Sequence, residues 1–126
     1  MRFLVDAVLP ATLGTEAPAG VEFYRWNGTD DGDEQVVRFG AAKGCRGVIF
    51  FDRNSLSQPG LIGLSELLGI ALIAVDATDP IEAKERILQH TTQLRRILNE
   101  TQLVLILGSG VRSFEPPSVD PALHAE

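Results

Sequence analysis

Apolar positions along the chain fall into short continuous runs, and three of these runs stop at an aspartate: Phe3-Leu4-Val5-Asp6, Val48-Ile49-Phe50-Phe51-Asp52 and 70–75 followed by Asp76. Continuous rather than alternating apolar runs of this length predict strands covered on both faces. The run 46–55 dominates the pattern, because four large apolar residues lead directly into Asp52. It predicts a buried central strand that delivers a carboxylate to its carboxyl end, where open α/β sheets keep their sites. A fourth run, 103–107, reads as the last strand, closed by Gly108-Ser109-Gly110.

Between the runs the period changes. Residues 34–43 predict a helix with Val36, Val37, Phe39 and the small Gly40, Ala41 and Ala42 toward a sheet, Asp33 as its N-cap and Gly44 at its end. Residues 59–69 predict a short, largely apolar helix, and Asp79-Pro80 opens the longest helix, with Ile81, Ile87, Leu88, Leu94, Ile97 and Leu98 on one stripe. On that helix Glu82 and Arg86 pair four residues apart. Near the start, 2–6 reads as a strand, 9–14 as a helix of one or two turns stopped by Gly14, and the aromatic 21–26 as a strand nearer an edge because of Glu22 and Arg25. This order predicts an α/β fold, a three-layer α/β/α sandwich with a mainly parallel central sheet of about five strands. Residues 1–112 form the expected domain; 113–126, with Pro116, Pro117 and Pro121, read as a disordered or docking tail.

Composition narrows the class. At 126 residues with 44% hydrophobic and 22% charged content, the chain suits one soluble domain with a single core. No apolar run approaches the roughly 20 residues of a membrane helix, and the N-terminus reads as lacking a secretion signal. Cys45 is a lone cysteine in the turn before the central strand, which excludes an internal disulfide and fits a cytoplasmic setting. A net charge of −6 argues against gripping nucleic acid by bulk electrostatics, but not against a locally acidic, metal-loaded nuclease centre.

The candidate chemistry lies in the acids. Asp6, Asp52 and the group Asp30, Asp31, Asp33 and Glu34 are what parallel strands and a helix start can bring to one edge. Two unit charges ~4 Å apart repel by roughly 4 kcal/mol at an effective dielectric of 20, so such a cluster calls for a cation. Mg2+ or Mn2+ accepts oxygen-only ligation by two or three carboxylates and activates water for attack on a phosphoryl centre. The competing reading is that each aspartate simply caps a turn or helix. His90 and His124 lack partners for a dyad, Ser55 and Ser109 lack a nearby base, and Lys84, Arg86, Arg95 and Arg96 read as a solvated helix face.

Three stretches carry a resemblance. Phe3-Leu4-Val5-Asp6-Ala7-Val8-Leu9-Pro10, Gly32-Asp33-Glu34 before a helix ending Ala41-Ala42-Lys43-Gly44, and Val48-Ile49-Phe50-Phe51-Asp52-Arg53-Asn54 resemble the three motifs of the PIN-like fold, in its compact branch related to VapC-type toxins. The resemblance implies a metal-dependent endoribonuclease, with RNA as substrate and a cognate antitoxin protein as partner; a second copy of the chain is a further expected partner, and the lack of a membrane-length apolar run argues against membrane association. Asp6 and Asp52, with Asp33 or Glu34, would hold Mg2+ or Mn2+, and Asn54 would position water or the outer shell of the ion. Ala7-Val8 stands where an acidic-polar pair is common, and Asn54 where a further aspartate is frequent. Two other classes compete: an interaction domain that kept this fold and lost its chemistry, and a receiver-type phosphoacceptor using Asp52. Receivers carry an acidic pair at the first strand and a lysine after the last, whereas Ala7 and Gly108-Ser109-Gly110 occupy those places.

Overall fold

A computed structural model of the chain describes residues 1–26, 32–51 and 53–114, apart from the side chains of Arg53 and Ser55. Asp30, Asp31, Asp52, His124 and the tail from residue 115 lie outside the described residues. One six-stranded sheet forms the middle layer, with strands β1 (Arg2–Val5), β2 (Glu22–Arg25), β3 (Gly47–Phe50), β4 (Ala71–Val75), β5 (Leu103–Leu107) and β6 (Gly110–Ser113). Their spatial order is β2-β1-β3-β4-β5-β6. The first five run parallel and β6 pairs antiparallel with β5.

Helices α1 (Thr12–Thr15), α4 (Pro80–Gln89) and α5 (Thr91–Ile97) cover one face, and α2 (Asp33–Ala42) and α3 (Pro59–Leu68) cover the other. Strand alternation divides the core accordingly. Phe3 and Val5 of β1 join Ile49, Ile73, Ile87 and Leu94 on the first face, while Leu4 joins Val37, Val48, Leu61, Leu64 and Leu72 on the second. Every residue of β3 and β4 is buried, which is why these strands are apolar without a break. Gly47 lets them meet: a Cβ there would come within 2.9 Å of Ile73 Cδ1 and 3.2 Å of the Ala71 carbonyl.

Four sequence expectations need correction. Asp33 is not the N-cap of α2 but its first helical residue; the N-cap is Gly32, at φ +92°. Gly14 lies inside α1, which starts and ends later than the Leu-Pro pattern suggested. The single long helix after Asp79 is two, α4 and α5, divided at His90 with φ −111° and ψ 17°. Thr91 marks the division, being buried with its hydroxyl bonded back to the Ile87 carbonyl at 2.7 Å. Finally, the Gly108-Ser109 connection is a hairpin that adds β6, so the ordered sheet reaches Ser113, and the Phe114 N–H bonds to the Leu103 carbonyl.

Candidate active site at the carboxyl edge of the sheet

The chain leaves β1 through α1 on one face to reach β2, whereas it leaves β3, on the opposite side of β1, through α3 on the other face to reach β4. The connections therefore diverge at the carboxyl ends of β1 and β3, the place where doubly wound sheets open a crevice. Asp6 sits there. Its N–H continues the ladder to the Ile49 carbonyl at 2.9 Å, so its position is set by strand pairing. Its carboxylate accepts from the Val8 N–H at 3.2 Å through Oδ1 and from the Phe51 N–H at 3.3 Å through Oδ2. One carboxylate thus ties the start of the β1–α1 connection to the end of β3. Each oxygen uses one acceptor direction and retains another.

Asp33 and Glu34 open α2 and lie against the beginning of α3. Gln58 Nε2 donates to Asp33 Oδ2 at 3.4 Å, and a Cβ on Gly60 would lie 3.6 Å from Glu34 Oε1. Both acids stand near the first turn of α3, whose N-cap Gln58 supplies no side-chain cap, so the helix dipole favours their charge there. Asn54 is exposed in the 3-10 helix Arg53–Ser57 that follows β3. The structure therefore joins Asp6 to the end of β3, and Asp33 and Glu34 to the α3 start. Among the described residues no three His, Cys, Asp or Glu side chains gather as a metal site, and a set including Asp52 extends beyond those residues.

A second polar group at this edge was read in the sequence only as an outward-facing ion pair, Glu82 with Arg86. Arg86 was assigned to a solvated face, yet it reaches back from α4 to donate to the Asp76 carbonyl and pairs with Glu82 at 3.0 Å. His90, one turn on, is buried and lies 3.1 Å from the Gly108 carbonyl through Nε2. The Glu82–Arg86 spacing was visible, but not that β4 and β5 would end beneath it. Lys84, from the same expected face, pairs with Glu16 at 2.8 Å and bonds Thr12 Oγ1, tying α4 to α1.

The fold and this edge define a doubly wound α/β domain with an acidic crevice residue at its switch point. No family model matches the chain, and neither curated proteins nor solved structures provide a match. Among the described residues no helix is long and apolar enough to cross a membrane.

Proposed function

We propose that the chain is a metal-dependent endoribonuclease of PIN-like fold. The observation that carries this reading is the hydrogen bond from the Phe51 N–H to Asp6 Oδ2, because the next residue in the chain is Asp52. Strand pairing thus supports the pair of acids that the resemblance requires. Asp6 and Asp52, with Asp33 or Glu34, would hold Mg2+ or Mn2+; carboxylate oxygens are the donors that these hard ions prefer. The ion supplies charge neutralisation and a more acidic water. The protein's part is to fix the carboxylates: the Val8 and Phe51 N–H groups orient Asp6, and Asn54, exposed in the 3-10 helix that follows β3, would orient water toward the phosphodiester. RNA is then the substrate and a cognate antitoxin protein the natural inhibitor.

The test is cleavage of end-labelled RNA in Mn2+ or Mg2+, beside EDTA and the variants Asp6→Asn and Asp52→Asn. Cleavage should require metal and fall to the EDTA level in both variants, while their thermal unfolding stays cooperative. Equal cleavage by wild type and both variants would refute the assignment. Absence of both cleavage and metal binding would favour an interaction domain that kept the fold without the chemistry. The strand order equally suits an aspartyl phosphoacceptor, since β3 ends at the switch point and Asp52 follows it two residues on in the sequence. Stable labelling of Asp52 by acetyl phosphate would favour that reading over hydrolysis.

A further inference from the structure

On the α2 side of the sheet, beside the edge strand β2, lies a cleft of about 400 Å3 lined by Arg2, Leu4, Tyr24, Phe39, Lys43 and Cys45, with Arg25 at its margin. Leu4 and the buried Cys45 form an apolar floor. Two exposed aromatic rings stand over it, Tyr24 from β2 at 47% exposure and Phe39 from α2 at 38%. Each carries a cation: the Arg2 guanidinium lies 5.1 Å from the Tyr24 ring centre, and Lys43 Nζ lies 5.5 Å from that of Phe39. Trp26 packs edge-on against Phe39 at 5.0 Å. Among the described residues Glu22 is the acid at this rim, pairing with Arg2 at 3.6 Å and accepting from the Tyr24 hydroxyl at 2.8 Å. That leaves Lys43 as a cation facing the cleft beside a stackable ring, in a chain whose net charge is −6.

We infer that this cleft is a docking groove for single-stranded RNA, with bases stacking on Tyr24 and Phe39 and a phosphate meeting Lys43. Aromatic faces alternating with cations are what an unpaired strand requires, since every base offers a π-face and every linkage a charge. An acidic peptide would use the cations and leave the two rings without a role. The groove shares strand β1 with the proposed site. Leu4 of its floor is two residues from Asp6 along β1, about 7 Å, and strand alternation puts both on one face. Arg25 at its margin bonds through Nε and Nη2 to the carbonyl of Ala7, the residue after Asp6. The choice of RNA rests on the ribonuclease reading, but the binding itself does not depend on metal.

The test uses the full chain in EDTA with a fluorescein-labelled single-stranded RNA of mixed sequence. Anisotropy is followed together with the emission of Trp26, the only tryptophan. Binding should quench Trp26, and Tyr24→Ala and Lys43→Gln should each weaken it roughly tenfold. Lys43→Gln should also flatten the salt dependence by about 0.7 in the log–log slope, a change that loss of packing alone does not produce. Both side chains are exposed, and unchanged melting of the variants confirms that they fold. No binding by wild type, equal binding by both variants, or equal competition by polyglutamate overturns the groove. RNA binding in EDTA without cleavage in metal supports the groove and removes only the hydrolase reading.

Discussion

At the scale of single residues, Cys45 shows how placement changes chemistry. Its side chain closes the floor of the cleft and is buried, and that burial pushes the thiol above its ordinary value. A thiol raised in the folded state contributes stability that is present below its ordinary range and lost as pH rises through the raised value. Only the thiolate is nucleophilic. Iodoacetamide should therefore modify Cys45 more slowly in the native chain than in urea at mildly alkaline pH, and the native rate should climb at a higher pH than the unfolded one. Mass spectrometry of timed samples checks both; equal rates would mean that the thiol is not held in a dry site. Gly47 makes a second case. Adding a Cβ would press on Ile73 and on the fixed Ala71 carbonyl, so Gly47→Ala should cost about 1–3 kcal/mol, read as a lower urea midpoint. The sequence pattern marks Gly44 as a helix end, but the crowding at Gly47 is not visible in it, because that crowding comes from a neighbouring strand. Asp6 was legible as a strand-terminal acid, whereas its grip on the Phe51 N–H was not, since that bond depends on β1 and β3 being neighbours.

At the scale of elements, local signals succeeded where local physics decides. Asp79 caps α4 by accepting from the Glu82 N–H at 2.9 Å and Pro80 occupies the first turn, while Gly69, counted in the expected helix, is instead the C-cap of α3 in the left-handed region at φ +67°. Asp79→Ala should therefore lower stability by about 0.5–2 kcal/mol, seen as a reduced melting temperature with unchanged far-UV CD. A change inside error would place the cap's role in the Thr78–Glu82 contacts instead. The apolar stripe, by contrast, ran through His90 without interruption, because the break serves tertiary contacts. Thr91 turns back on Ile87, and His90 reaches Gly108 on the neighbouring strand connection. Ile81, placed on the stripe by spacing, is 63% exposed, because the face of α4 that packs on the sheet runs through Ala83 and Ile87 instead. Hidden from the sequence for the same reason was the cleft: β2 was read as an edge strand from Glu22 and Arg25, but the approach of Phe39 and Lys43 depends on how α2 crosses it.

At the scale of the whole molecule, one sheet separates two cores, and the periodicity of the sequence reports burial without reporting strand order. That is why the α/β class was readable and the β2-β1-β3-β4-β5-β6 order was not. The sixth strand has the largest consequence for where the domain ends. Without β6, the parallel edge would be β5, whose Val104, Leu105 and Ile106 are fully buried. β6 covers it through the pairs Val104↔Ser113, Leu105↔Arg112, Ile106↔Val111 and Leu107↔Gly110, and Val111 packs onto the first core. A chain ended after Ser109 loses these pairs and presents an apolar strand edge, the kind of surface that templates association. It should unfold at lower urea than a chain ended after Phe114, by about 2 kcal/mol or more from the uncovered side chains alone. It should also sediment as larger species as concentration rises. If both chains share one urea midpoint and one sedimentation coefficient, β6 lies outside the cooperative unit and the domain closes at β5. If only the shorter chain weakens and associates, the last strand completes the sheet.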